Sequence, residues 1–483
     1  MSSNELSAST STPPTVEDLR AYYVGERASF HMPAHKQRGG VHPLFTSVFG
    51  NQMLRADVSE MGGFDYLHAP SGSILSAQAK AAEVFGAAAT FFLVNGSTGG
   101  NLAAITAFAG DGDNVIMLRG SHRSVYTGAV LAGATPYYLP YEHDLAEDGW
   151  FLPANLATVQ LPERATIVHL TRPNYYGMAT DLAPYVSLAR RLGALLVVDE
   201  AHGSHFGFHP DLPASALAQG ADIVIQSTHK TLGALTQASM LHVAKDVPTA
   251  PLKRALGMLQ SSSPSAVLTM SLDLASHHLV DGGRNDLATA IDLSCAVRSS
   301  VATINGLRIL DRLAAHPSVA TDPTKLVVDV RGLGISGFAA SAWLRTHCQL
   351  WVELSDFHRI VCSLTVGDTA ESSAFLIESL LGLAAANHPP SSGTTTDLPA
   401  TPPQRRSLRA ALHAPSSSIA TSDSLGRICA DYVIPYPPGI PLLVPGEEVT
   451  ADTLSALSAF RSAGAKVVGP DDLTGATLLV NDW

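Results

Sequence analysis

Lys230 closes the stretch Ala221-Asp222-Ile223-Val224-Ile225-Gln226-Ser227-Thr228-His229-Lys230, where an apolar run gives way to hydroxyl, imidazole and amine. Upstream, the apolar run Ala194–Val198 ends in Asp199-Glu200-Ala201-His202. An amine and a carboxylate at the C-terminal ends of two strands, one βαβ unit apart, fit the two contacts that pyridoxal phosphate needs most. The amine condenses with the cofactor's aldehyde and later exchanges it for a substrate amine. The carboxylate keeps the pyridine nitrogen protonated, so that the ring draws electrons from a bond breaking at the substrate Cα. Asn95-Gly96-Ser97-Thr98-Gly99-Gly100, between a predicted strand and a predicted helix, adds free amides, a helix dipole and two hydroxyls, which suit a phosphate. Alone, this hexapeptide reads at least as well as a strand-to-helix turn with a hydroxyl N-cap. Ahead of Asp199 and Lys230 it becomes the phosphate half of one site.

Other side chains gather around these three. Ser227 and His229 flank the lysine and are placed to donate hydrogen bonds to the phosphate. His122, in Gly120-Ser121-His122-Arg123-Ser124-Val125, follows the next predicted strand and offers a ring to stack on the pyridine; an ordinary loop histidine is the alternative. His202 either bonds Asp199 or the cofactor's phenolic side, or is a core histidine satisfied by backbone. Asp199 could also serve as the ribose-binding acid of a nucleotide fold, but no G-x-G-x-x-G follows a strand here. His31 and His35 with His202 and His205 show no ligand spacing on one helix face, so no metal is expected.

The elements that must position these residues alternate. Predicted strands at Thr90–Val94, Asn114–Leu118, Ala165–Leu170, Ala194–Val198 and Asp222–Gln226 are separated by predicted helices over 77–85, 99–108, 124–132, 185–192 and 215–219. Such alternation argues a mostly parallel sheet covered by helices on both faces. Ligands bind such sheets beyond the C-terminal strand ends, where Asn95, Asp199 and Lys230 lie. Ahead of this unit, residues 1–16 read as disordered, 16–30 as one amphipathic helix and 31–75 as an irregular Gly-rich arm. A smaller α/β unit follows, with strands over 325–330, 350–354 and 360–365 and helices over 337–346 and 374–386. Residues 387–404, rich in Pro, Ser and Thr, read as a linker. The expected division is therefore 1–75 tail and arm, 76–290 major domain, 291–386 small α/β domain, 387–404 linker and 405–483 C-terminal α/β domain.

Composition narrows the function. The 483 residues are 46% hydrophobic and 15% charged, which suits a large folded enzyme. Thirty basic against forty-two acidic residues give a net charge of −12, which disfavours nucleic acid as a partner. Cys295, Cys348, Cys362 and Cys429 form neither CxxC pairs nor a disulfide pattern. The start of the chain lacks a basic segment followed by an apolar one, and no apolar run reaches transmembrane length. The expectation is a cytoplasmic protein with no membrane contact.

With these residues assembled, the chain resembles the Orn/Lys/Arg decarboxylase family of fold-type I pyridoxal phosphate enzymes, in its short form. The likeness runs over residues 31–272 and again over 426–447, and rests on DYLHAPSGSI, TFFLVNGSTGGN, SHRSVYTG, VDEAHGSHF, GADIVIQSTHKTLGALTQAS, QSSSPS and IPYPPGIPLLVPGE. The resemblance implies Lys230 as the Schiff-base lysine, Asp199 as the pyridinium partner and His122 as the stacking imidazole. It implies phosphate contacts from Ser97, Thr98, Ser227 and His229. It further implies a homodimer or higher even oligomer, with Ser262 or Ser263 reaching the neighbouring subunit's cofactor, and a C-terminal domain near the site entrance. The implied reaction is decarboxylation of a cationic L-amino acid, arginine and lysine ranking equally and ornithine behind. Candidate acids for the distal cation are Glu60, Asp65, Glu447 and Glu448, each otherwise an ordinary surface carboxylate. Another enzyme of the same fold, an aminotransferase or lyase, and a non-catalytic binding homologue are the rival readings. Two departures stand out: Pro173-Asn174-Tyr175-Tyr176-Gly177 where the family usually has Pro-Thr-Tyr-Tyr-Gly, and Leu408–Pro415 where a Pro-Arg-Glu-Ala run is common.

Overall fold

The computed structural model describes residues 12–25, 28–143, 151–153, 156, 159–310, 319–388, 399–436, 439–469 and 475–482. Its centre is a seven-stranded sheet of β1 (Ala89–Leu93), β2 (Asn114–Leu118), β3 (Thr135–Leu139), β4 (Ile167–Thr171), β5 (Leu195–Asp199), β6 (Ile223–Gln226) and β7 (Ser239–Val243), in the order β1-β7-β6-β5-β4-β2-β3. Only β7 is reversed, pairing antiparallel with both β1 and β6. The inner strands are mostly apolar and buried because both faces of the sheet are covered there, whereas the edge strand Thr135–Leu139 is partly exposed. Along β2, Val115 and Met117 enter one core while Ile116 and Leu118 enter the core on the other face. Each fully buried side chain of this kind contributes about 1.5–3 kcal/mol.

The helix after β1, Gly96–Phe108, sits close to the sheet because Gly100 has no side chain: a Cβ there would come within 2.7 Å of Ile225 and 2.8 Å of Leu93. Gly96 opens that helix at φ +65°, a conformation that favours glycine. The helix after β2, Arg123–Ala132, starts at His122, whose ring caps it.

The small unit is a four-stranded antiparallel sheet with Lys325–Asp329 and Arg359–Ser363 at its centre, packed by helices Gly337–Cys348 and Ala370–Ala385. Leu408 and Val444 join the core of the central sheet, and Arg409 donates to the carbonyls of Val130 and Leu131 at 2.8 and 2.6 Å. A buried Arg119–Glu447 ion pair at 2.9 Å makes the same connection. The chain beyond residue 399 is thus stitched to the major sheet, with Gln404 already bonded to Pro445.

Four expectations change. Thr15 is buried and bonds Asp273 through its amide and hydroxyl, so order begins before residue 16; residues 1–11 lie outside the described residues. The arm contains a helix, Pro43–Ala56, kinked at Gly50 (φ +74°), and a second begins at Ser73. Residues 215–219 form turns instead of a helix. The strand expected over 350–354 shrinks to Leu354–Ser355. Most of the expected linker, 389–398, lies outside the described residues.

Candidate active site

Asp199 ends β5, with Thr171 of β4 and Ile225 of β6 as its register partners. Its carboxylate is buried and fixed, accepting from Asn101 Nδ2 at 2.8 Å and from the Ala201 amide at 3.1 Å. The other Asn101 N–H goes to Ser124 Oγ at 3.0 Å, and Asn101 Oδ1 accepts from His169 Nε2 at 3.2 Å. Burial holds His169 down to about 4, so it is a neutral donor at ordinary pH. Ser124 in turn donates to His122 Nδ1 at 2.8 Å, joined by its own amide at 3.3 Å, which places the His122 proton on Nε2. One asparagine therefore orients both the carboxylate and the imidazole. Desolvation first, then Lys230 against the opposing pull of Asp199, lowers the His122 pKa; the three groups share one field.

Glu200 turns the other way. Its oxygens accept from Arg172 Nη1, the Ala216 amide and Gln226 Nε2, all at 2.9 Å, and Gln226 Oε1 accepts from His242 Nε2 at 3.1 Å. Thr90 closes that buried chain at 2.8 Å from His242 Nδ1.

Lys230 follows β6 in a single helical turn, Thr228–Thr231. Its exposed surface opens to solvent, while the amine itself is desolvated enough to lower its pKa; Asp199 and Glu353 oppose that shift and Lys325 adds to it. Lys230 Nζ lies 3.0 Å from His202 Nε2. On the far side of the same ring, His202 Nδ1 lies 3.4 Å from Lys325 Nζ. His202 is fully occupied by these two amines, and no Asp199 contact is formed. Burial first, then the neighbouring lysines, holds it well below the ordinary imidazole value. Tyr175 packs edge-on against His202 with centroids 5.5 Å apart.

The phosphate candidates converge as well. Ser97 Oγ and Ser227 Oγ are 2.7 Å apart, at the first turn of the Gly96–Phe108 helix, where Thr98 is exposed and the leading amides have no helical acceptor. Thr228, in the lysine's turn, is buried with its hydroxyl unpartnered. His229 is more constrained than its position suggested. Its Nδ1 donates to the Ala238 carbonyl at 2.8 Å, so Nε2 becomes a donor only in the imidazolium form, which burial disfavours. A fixed carboxylate, an amine, a ring and a hydroxyl-lined helix start are the donor set that pyridoxal phosphate requires, and the residues present fit it.

The acids proposed for the distal cation are mostly committed elsewhere. Asp65 accepts from the amides of Tyr66, Ser71, Gly72, Ile74 and Leu75, capping the helix at Ser73. Glu447 is buried against Arg119 and the Val444 amide, and Glu448 pairs with Arg405 at 2.7 Å. These three are corrected from substrate candidates to structural carboxylates: Asp65 and Glu448 are bonded within their own surroundings, and Glu447, although its Oε1 has no hydrogen-bond partner, is fully buried against Arg119. Glu60 lines a surface cleft with Glu17 and Asp18, which none of the cofactor-site residues line. A carboxylate outside the expected set, Glu353 of the small unit, adds its field to those of Asp199 at Lys230 and Tyr175 and of Asp322 at Lys325. Sequence reasoning missed Asn101, His169, Lys325 and Glu353; each is an unremarkable residue until the fold assembles it. Ser262 is exposed, its carbonyl accepting from Tyr66 at 3.3 Å, and no site residue of its own chain contacts it through an identified bond. His31 and His35 stay in the arm, bonded to Tyr22 and Asp57, while His205 pairs with Asp322 at 3.1 Å. Among the described residues no helix is long and apolar enough to cross a membrane.

A profile of the Orn/Lys/Arg decarboxylase major domain matches residues 13–319, and one of that family's C-terminal domain matches residues 397–472. The chain is 36% identical over 480 residues to a protein of Halalkalibacterium halodurans named arginine decarboxylase, covering 97% of each. It is 34% identical over 471 residues to a Bacillus subtilis protein of the same name, covering 95% of this chain and 96% of that one. The solved structure of lysine decarboxylase A from Pseudomonas aeruginosa superposes with a TM-score of 0.81, covering 97% of this chain and 80% of that one. At 22% identity that likeness is one of fold.

Proposed function

The chain belongs to the Orn/Lys/Arg decarboxylase family and is a pyridoxal phosphate enzyme that decarboxylates a basic amino acid; within that frame we propose that its substrate is L-arginine. The names of the two near-full-length relatives support arginine over lysine. Glu353, whose charge acts on Lys230 and Lys325, is the candidate partner for the distal cation of that substrate. Of the four acids considered in the arm and the C-terminal segment, Asp65, Glu447 and Glu448 have partners in place and Glu60 lines a different cleft.

Pyridoxal phosphate, when bound, supplies the aldehyde that captures the substrate amine and the ring that takes up the electrons released as CO2 leaves. The remaining work belongs to the chain. Lys230 would hold the cofactor and exchange it for the substrate amine, Asp199 would keep a proton at the ring nitrogen, and His122 would cover one ring face. Ser97, Ser227, Thr98 and the amides of Ser97 and Thr98 would receive the phosphate, and His229 would join only in the imidazolium form that burial disfavours. Lys230 and His202, 3.0 Å apart, are the groups that would return a proton to Cα. The observation that carries this reading is the single hydrogen-bonded set Asp199–Asn101–Ser124–His122 beside Lys230. Incubating the loaded protein with L-arginine, L-lysine and L-ornithine and identifying the amines tests it. Agmatine forming fastest, without a keto acid, supports the proposal; cadaverine forming faster, or any need for a keto acid, refutes it.

The site is read as completed in a homodimer or larger even oligomer, with Ser262 reaching the neighbouring cofactor and the domains divided as the sequence suggests. Support comes from the arm, where Phe30 is 94% exposed, Val48 70% and Met32 67%. Large apolar side chains this exposed are the kind that an oligomer interface covers. Mixing inactive Lys230→Ala subunits with an inactive Ser262/Ser263 double alanine variant should restore activity through hybrid sites. A fully active monomer contradicts it.

A further inference from the structure

Lys325 belongs to the small unit, yet its amine is buried and reaches across to the major domain. Its nitrogen donates to Ser363 Oγ at 2.6 Å and faces His202 Nδ1 at 3.4 Å, while His202 Nε2 faces Lys230 Nζ at 3.0 Å. A neutral imidazole carries one N–H and one lone pair, and an ammonium carries donors only. The chain lysine–histidine–lysine closes with hydrogen bonds on both sides only when one lysine is a free amine. We propose that Lys325 is a positioning residue for Lys230: through His202 the two lysines share one proton, and this sharing presents Lys230 Nζ as a free amine.

The surroundings decide where the shared proton rests. Burial disfavours the Lys325 ammonium and lowers its pKa, as it does for Lys230; Glu353, Asp322 and the accepting Ser363 hydroxyl oppose that, and in the proposed state they hold the shared proton on Lys325. Cys362 also faces it, but burial pushes that thiol up to about 12 and keeps it neutral. Asp199 and Glu353 pull the Lys230 amine toward its charged form, which the Lys325 cation opposes. His122 and His205 face His202 from the major domain. With the ammonium on Lys325, His202 accepts at Nδ1 and donates from Nε2 to the Lys230 lone pair. The reverse transfer is balanced: Lys230 gains the Nε2 proton as Lys325 returns one to Nδ1, and no other reactant takes part. An amine that must attack an aldehyde has to be unprotonated, and one that later delivers a proton must be refilled. The use of this device rests on the reading of Lys230 as the cofactor lysine, but its test does not.

Pulse acetylation of the full-length, cofactor-free chain across pH, read at Lys230 by peptide mass spectrometry, measures how much free amine is present. Lys325→Met should raise the Lys230 midpoint by about one pH unit or more, because a like charge has gone. Lys325→Arg keeps a cation on Nδ1 and should hold the wild-type midpoint. An unchanged midpoint in Lys325→Met, or Lys325→Arg following Lys325→Met, overturns the proposal. Imidazole 15N spectra of the wild-type chain need no variant to fold: His202 should be neutral with its proton on Nε2 near neutral pH. An imidazolium, or a proton on Nδ1, overturns it equally. A cofactor found on another lysine while the midpoint still depends on Lys325 would sink the cofactor assignment and leave the proton sharing intact.

Discussion

Asp199 leaves the end of β5 toward Lys230 and His122, whereas Glu200, one residue later, enters a closed network of Arg172, Gln226, His242 and Thr90. In the Glu200 region each of these groups has a complementary partner in place, and the result is a fixed scaffold between β4 and β7. In the Asp199 region the groups are oriented but incompletely satisfied: a buried hydroxyl lacks a partner at Thr228, and two amines crowd one imidazole. Polarity alone does not mark a site. What separates the two regions is whether the local hydrogen bonds close on themselves.

Substitutions on the two sides should therefore fail in different ways. Lys230→Ala should lower turnover by about three orders of magnitude or more while the melting temperature holds, since the lysine is at the open end of the site. Loss of folding in that variant would erase the distinction. Glu200→Gln should do the opposite. It leaves the Arg172 guanidinium buried without its counter-charge, at a cost of about 3–5 kcal/mol in denaturant unfolding, with turnover per folded molecule nearly kept. A Glu200→Gln protein that is stable but inactive would move Glu200 into the site. Asp199→Asn removes a charge-assisted hydrogen bond worth about 1.5–3 kcal/mol, a roughly tenfold to hundredfold loss of turnover exceeding any loss of cofactor loading. Equal losses in both would make Asp199 a structural acid.

The smallest expected effect is acid sensitivity. Burial holds His242 down to about 3 and His169 to about 4, below the ordinary value near 6.5. A histidine lowered in the folded state contributes stability that is present above its unfolded pKa and lost as pH falls from there toward the folded one. Stability should hold above about pH 6.5 and drop by about 1.4 kcal/mol per histidine at about pH 5.5. Urea unfolding at the two pH values measures it, and a flat profile shows that neither ring is held neutral by burial.

Much of the sheet was legible because strands buried on both faces are continuous apolar runs; Asn114–Leu118 falls where the sequence places it. β7 was missed because Ser239-Met240-Leu241-His242-Val243 follows the lysine turn closely, and its place between β1 and β6 is a long-range pairing that no local pattern encodes. The helix Pro43–Ala56 was missed because Gly50 interrupts its period. Lys230, Asp199, Ser97 and His122 were legible through their positions after strands. Lys325 and Glu353 were not, since a lysine opening a strand and a glutamate in a bend have no local signature. The signal for Asp65 was present and misjudged: an acid ahead of Ser71-Gly72-Ser73 and a helix start is a capping residue before it is a ligand.

The central claim is that Lys230 carries the cofactor opposite Asp199. Borohydride reduction of the pyridoxal phosphate-loaded protein, followed by peptide mapping, tests it most directly. The account predicts a reduced pyridoxyl adduct on the peptide containing Lys230 and none on that containing Lys325. An adduct on Lys325 or another lysine, or no adduct in an active preparation, would contradict it.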